Sequence, residues 1–262
     1  MSERLSTEEI ERYSRQILVP DLGGRGQMRL RQGRVLIVGA GGLGSPAAYY
    51  LAAAGIGTLG LVDPDRVELS NLQRQILHGT PDIGRKKVES ARGRLAELNP
   101  GVRIEVCAAR LEPANVDELF GGYDFIIDGS DNFETKFLVN DAAVTRGIAF
   151  SHAGIVRLQG QVMTVVPGKS ACYRCFFKSP PPPEELLSCQ QAGILGAVAG
   201  TIGSIQATEA IKYLVGFEDG LLVDRLLTYD AKSMTFHTVA VRKDPDCKTC
   251  GKGSLNTPAG AT

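Results

Sequence analysis

Four apolar runs punctuate the first half of the chain, RVLIVGA, TLGLVD, RIEVCAA and DFIIDGS, with longer stretches of helical spacing between them. Runs this short and apolar predict buried strands, and their alternation with helices predicts a parallel sheet covered on both faces. Beyond Phe150 the period changes. GQVMTVV and LLTYDAKSMTFHTVAVR alternate like antiparallel strands that extend the sheet. Between these two, Ala197 to Val215 returns to helical spacing, and its glycines predict close packing against the sheet. The expected fold is α/β, a Rossmann-type parallel sheet with helices on both faces, extended by antiparallel strands in the C-terminal half. Ahead of that helix lies FFKSPPPPEELLSCQQ, whose four consecutive prolines can neither continue a helix nor donate to a ladder. An extended, exposed loop is expected there, on composition a simple spacer. The small, polar tail over 252–262 predicts disorder.

Charge changes the picture by exclusion. Twenty-nine basic and twenty-nine acidic residues cancel, which argues against broad nucleic-acid or membrane adhesion. The charged N-terminus has no signal-peptide stretch, and the longest weakly polar run, Ala192 to Ala207, is too short and glycine-rich to span a bilayer. A soluble, cytoplasmic protein with no nucleic-acid or membrane partner is expected.

Candidate chemistry begins where the first strand ends. Gly39, Gly41 and Gly44 form a GxGxxG between that strand and a helix, where backbone N–H groups and the helix dipole favour a phosphate. Asp63 closes the next strand at the separation expected of a carboxylate that binds ribose hydroxyls. The same glycines also serve tight strand-to-helix packing, and the default ligand of such a motif is a nicotinamide dinucleotide in a dehydrogenase. The following block, VDPDRVELSNLQRQILHGTPDIGRKKVESA, argues for a different ligand. It collects Asn71, Arg74 and Lys87 near the sheet edge, a cationic set that a triphosphate needs and a dehydrogenase does not. DFIIDGSDN adds Asp128, Asp131 and Asn132 at the same edge, where a carboxylate can hold magnesium.

Six cysteines are too few for a disulfide framework in a chain of this length, and four of them form two CxxC pairs, Cys172/Cys175 and Cys247/Cys250. Two such pairs supply the four sulfurs of a closed structural zinc site that staples distant segments. A redox CxxC is the alternative. Cys107 reads as a small core residue. His78, His152 and His237 show no metal or triad spacing and read as structural.

GAGGLGSPAAYYLAAAGIGTLGLVDPDRVELSNLQRQ, with RYSRQ before it and both CxxC pairs after it, resembles the family of molybdopterin-synthase and thiamine sulfur-carrier adenylyltransferases and the adenylation half of ubiquitin-activating enzymes. The resemblance runs from about Arg12 to Gly251. It implies one adenylation domain over 1–251, with a nucleotide half at about 12–150 and a carrier-binding and zinc half at about 151–251. It further implies that Gly42 contacts nucleotide, that Asp63 binds ribose, that Asn71, Arg74 and Lys87 contact phosphates, and that Asp131 takes magnesium. Arg15 in RYSRQ corresponds to an arginine that reaches into the other subunit of a homodimer. Cys189 corresponds to a cysteine that can bond to the activated carrier, although a loop cysteine without a role fits equally well. No rhodanese-like domain follows Cys250, so the chain resembles the short bacterial members, to which another protein delivers sulfur.

The implied activity is ATP-dependent adenylation of the C-terminal carboxylate of a ubiquitin-like sulfur carrier ending in Gly-Gly, which then receives sulfur from a persulfide donor. Molybdenum-cofactor, thiamine and tRNA-thiolation pathways all fit. The rivals are an NAD-dependent dehydrogenase, a non-catalytic nucleotide-binding module, and a relative that activates an RNA-base carboxylate.

Overall fold

The computed structural model describes residues 4–180 and 192–251. Its strands are β1 (Arg34–Val38), β2 (Thr58–Val62), β3 (Arg103–Cys107), β4 (Phe125–Asp128), β5 (Ala149–Val156), β6 (Gln159–Val165), β7 (Arg225–Asp230) and β8 (Thr235–Ala240). The helices are α1 (Thr7–Arg12), α2 (Ser14–Ile17), α3 (Gly23–Gln32), α4 (Gly44–Ala54), α5 (Lys87–Leu98), α6 (Val116–Phe120), α7 (Phe133–Arg146), α8 (Tyr173–Phe176) and α9 (Gly196–Val215). All the strands join one sheet in the order β3-β2-β1-β4-β5-β6-β7-β8. Pairing is parallel from β3 to β5 and antiparallel from β5 onward.

Alternate residues of each strand serve opposite layers, as the pleat requires. Val35 and Ile37 pack with Ala47 and Leu51 of α4, Val88 and Leu95 of α5, and Ala207 and Ala210 of α9. Leu36 and Val38 face the other way, towards Phe120 of α6, Phe137 and Val139 of α7, and Tyr173. Successive strands leave β1 in opposite directions, towards β2 and β4, which opens a crevice at their carboxyl ends.

Several expectations need correction. RIEVC does not form a buried strand, because β3 lies at the edge of the sheet and only half its surface is covered. Cys107 is accordingly half-buried against the core rather than inside it. The strand β5 escaped the periodicity reading. Helix α9 starts one residue earlier than expected, at Gly196. Its close packing on the sheet is carried by Gly160 of β6, where a Cβ would lie 2.4 Å from Ile202, whereas two of its own glycines approach other elements: a Cβ on Gly203 would lie 2.3 Å from the Leu43 carbonyl, and one on Gly196 2.3 Å from the Gln73 carbonyl. The proline-rich segment from 181, Cys189 and the tail from 252 lie outside the described residues. Among the described residues no helix is long and apolar enough to cross a membrane.

Candidate active site

The turn after β1 is built from glycine by necessity. Gly39 sits at φ +97°, and its N–H donates to the Val62 carbonyl at 2.8 Å. A Cβ on Gly44 would lie 1.9 Å from the Gly39 carbonyl oxygen, so α4 can start against the turn only with glycine there. Gly39, Gly41 and Gly42 line a cavity of about 960 Å³, whereas Gly44 lies outside its lining and serves this close approach. Gly44→Ala is expected to destabilise the protein by about 3 kcal/mol, the upper part of the overpacking range, measured by urea denaturation.

Asp63, at the end of β2, accepts from the N–H of Ala40 through Oδ2 and of Asp65 through Oδ1, both at 2.8 Å. Burial raises its carboxyl above the usual range, while the Lys87 charge opposes that rise. The Lys87 ammonium lies 2.9 Å from Asp65 Oδ2 and 4.0 Å from Asp63 Oδ1, held at the cavity wall as α5 begins. His78 bridges the Ala40 carbonyl and Ser90 Oγ at 3.0 Å each, which ties the glycine turn to α5. Its role is structural. Burial lowers its pKa, so the ring is neutral at neutral pH.

Arg74 reaches the same cavity and donates through Nη1 to the Ser70 carbonyl at 3.0 Å. Asn71 does not line the cavity; its buried side chain accepts from the Glu68 N–H at 3.1 Å and closes the turn that carries Arg74. Across the crevice, Asp131 is exposed on the loop between β4 and α7. Asn132 caps α7 by accepting from the Thr135 N–H at 2.8 Å, and both residues line the cavity. Arg15 is exposed on α2 and stands apart from this cavity.

The sequence reading missed a buried polar cluster beneath Asp131. Asp128 ends β4, fully buried, and its register partner on β5 is His152. His152 Nδ1 lies 2.8 Å from Asp128 Oδ2, and the Lys136 ammonium, also buried, lies 3.4 Å from that oxygen. Lys136 further donates to the carbonyls of Ser130 (2.7 Å) and Ala153 (2.6 Å), so it clamps the Asp131 loop to β5. Burial by itself would push the Asp128 carboxyl up. The Lys136 ammonium, His152 and Ser130 overcome that and hold it well below the usual carboxylate range. Burial first, and the Lys136 charge second, push the His152 imidazole down to about 4. The available sequence signal was Lys136 one helical turn beyond Asn132. The partnership with His152 depends on β4–β5 register and leaves no local trace.

Past this cluster the cavity continues over Gly154 of β5, Gln161 of β6, Tyr229 of β7 and His237 of β8. One continuous space therefore joins the glycine turn to the antiparallel half of the sheet. Its volume is at the upper end of small-molecule sites, enough for a nucleotide and a thin extended segment.

On the other side of α7 the four paired cysteines converge. The sulfurs of Cys172, Cys175, Cys247 and Cys250 all lie within 4.8 Å of one another. Cys172 Sγ is 3.6 Å from Cys247 Sγ, and Cys175 Sγ is 3.4 Å from Cys250 Sγ. A tetrahedral zinc with bonds of about 2.3 Å needs sulfurs about 3.8 Å apart, so the set fits such an ion. Burial, followed by the neighbouring sulfurs, pushes the Cys172 thiol up, and burial with Cys175 pushes Cys250 up to about 11. A divalent cation reverses that penalty by favouring thiolates.

Comparison with known proteins places this geometry. The model of the ThiF family matches residues 13–249. The chain belongs to the ThiF family. Among its curated ThiF-family relatives, the SAMP-activating enzyme E1 of Haloferax volcanii is 46% identical, covering 98% of this chain and 94% of that protein. The sulfur carrier protein adenylyltransferase of Thermus thermophilus is 45% identical over 95% of this chain and 93% of that protein. The probable adenylyltransferase/sulfurtransferase MoeZ of Mycobacterium tuberculosis is 48% identical over 92% of this chain, which spans 62% of its length. Among solved structures, E. coli MccB superposes with a TM-score of 0.83 at 24% identity, covering 95% of this chain and 76% of that one, which supports the fold alone.

Proposed function

We propose that this chain adenylates the C-terminal carboxylate of a ubiquitin-like sulfur carrier ending in Gly-Gly, at the expense of ATP. The single observation that carries the reading is the continuous cavity: Asp63, Arg74, Lys87 and Asp131 surround a nucleotide-sized end, and β5 to β8 line a channel leading to it. The likeness to an activating enzyme E1 of Haloferax and a sulfur carrier protein adenylyltransferase of Thermus supports it. A nicotinamide dehydrogenase would have no use for Arg74 and Lys87 together.

In this reading ATP lies with its ribose at Asp63 and its phosphates over Gly41 and Gly42, near Arg74 and Lys87. A carrier carboxylate oxygen attacks the α-phosphorus, the bond to the bridging oxygen breaks, and pyrophosphate leaves with that electron pair. A carboxylate is already a nucleophile, so the chain supplies position and positive charge rather than a general base. Arg74 and Lys87 offset the charge, together with Arg15 from a second copy in a homodimer. Asp131 is the carboxylate placed to hold magnesium, which when bound neutralises phosphate charge. The four cysteines hold zinc as a closed staple between the ends of β6 and β8. A cytoplasmic setting belongs to this reading.

The acyl adenylate then meets a persulfide donor, whose terminal sulfur displaces AMP from the acyl carbon. A second thiol must cleave the resulting sulfur–sulfur bond to release the thiocarboxylate, and Cys189 is the thiol proposed for it. Cys189→Ala is therefore expected to leave pyrophosphate exchange unchanged and to lower thiocarboxylate formation about tenfold, read by carrier mass with the donor present. Equal yields would leave Cys189 without a role in the reaction. The reading as a whole is tested by pyrophosphate–ATP exchange with Gly-Gly carriers; ATP binding without exchange would instead mark a non-catalytic module.

A further inference from the structure

Asp131 joins a free side chain to a tightly held backbone. Its carboxylate is exposed at the cavity and, among the described residues, makes no hydrogen bond or ion pair. The residues around it are all pinned. Gly129 lies against the glycine turn: its N–H donates to the Val38 carbonyl at 2.9 Å, and a Cβ on Gly39 would lie 2.9 Å from its carbonyl oxygen. Ser130 donates its N–H to Asp128 Oδ1 at 3.0 Å, and Asn132 is the N-cap of α7. The Ser130 carbonyl accepts from the Lys136 ammonium at 2.7 Å.

Lys136 fills the gap where the sheet parts. Strands β4 and β5 pair as far as Asp128 and His152, and just beyond that pair the ammonium bridges Ser130, which follows β4, to the Ala153 carbonyl of β5 at 2.6 Å. Asp128 Oδ2 is its third neighbour, at 3.4 Å. An ammonium has three N–H donors, so this one, with its side chain 8% exposed, has none left for a phosphate. Nor does stability explain it, because well-packed apolar residues replace a buried ion pair at little cost. What the contact does fix is a plane: the Ser130 carbonyl and the Asp131 N–H belong to one rigid peptide unit. We infer that Lys136 is a positioning residue, which sets this plane so that the Asp131 carboxylate meets the magnesium accompanying the phosphates above the glycine turn. The inference rests on the adenylation reading.

The test uses wild type, Lys136→Met, Asp131→Ala and the double variant. ATP binding is measured by calorimetry with and without Mn²⁺, the probe for the magnesium position, alongside pyrophosphate exchange with a Gly-Gly carrier. The ratio of ATP affinities with and without Mn²⁺ should fall about tenfold in Lys136→Met and in Asp131→Ala, and no further in the double variant. A residue that only supported the fold would weaken ATP binding equally in both conditions. Exchange should fall about 10–100-fold in Lys136→Met, and Lys136→Met added to Asp131→Ala should cost nothing more. An unchanged ratio in a folded Lys136→Met or in Asp131→Ala would overturn the inference while the adenylation reading stands. So would a further loss of exchange in the double variant, which would mark Lys136 as a cation acting on the substrates itself. No exchange by wild type with any Gly-Gly carrier would overturn both. Should thermal melting show that Lys136→Met does not fold, adding Asp128→Asn removes the stranded buried carboxylate, and the same comparison decides.

Discussion

Asp131→Ala is expected to lower carrier-dependent pyrophosphate exchange by about 10²–10³-fold with no loss of fold, and Arg74→Ala to do the same. Both residues stand on loops at the carboxyl edge of the sheet. Asp131 is exposed and Arg74 partly so, and neither belongs to an apolar cluster. The Arg74 guanidinium donates to the Ser70 carbonyl, at the end of its own turn, and among the described residues it forms no ion pair. Their removal should therefore cost little in folding and much in the transition state, where charge gathers on the phosphates. Circular dichroism with exchange separates the two effects. Exchange near the wild-type rate in either variant would remove that residue from the site.

The second large effect is expected at the cysteine cluster. Serine at Cys172 or Cys247 should abolish stoichiometric zinc and lower the melting temperature by about 10 °C, since a structural ion contributes directly to folding energy. The cluster is well placed to matter. Arg174 pairs with Asp141 on α7, and Thr249 donates to Asp141 Oδ1 at 2.8 Å, so both cysteine turns dock on one helix. Chelation should reproduce the thermal loss while costing less turnover at low temperature. Metal analysis and melting decide it, and a metal-free protein of full stability would contradict the zinc assignment.

How much of this was legible follows from how local each signal is. The strands β1, β2 and β4 could be read because each carries an unbroken run without a charged or strongly polar residue, VLIV, LGLV and FII. AFSHAGIV could not, because serine, histidine and glycine break the run, although the serine and histidine are buried in the sheet. The edge position of β3 follows from strand order, which no single run encodes. CxxC is a local motif and was read. That Cys172 meets Cys247, 75 residues away, follows from the antiparallel return of the sheet. The glycine turn, Asp63 and the SNLQRQ block were likewise visible one by one, but the sequence did not distinguish Asn71, which closes a turn, from Arg74, which faces the cavity. The Asp128, Lys136 and His152 cluster needed the β4–β5 register.

The central claim is that ATP is consumed to activate a peptide carboxylate. Exchange of labelled pyrophosphate into ATP, measured with a Gly-Gly carrier and with the same carrier lacking its last glycine, tests it most directly. The account predicts exchange that requires the intact carrier and vanishes with the truncated one. Exchange at the same rate without any carrier, or none with every Gly-Gly carrier offered, would contradict it.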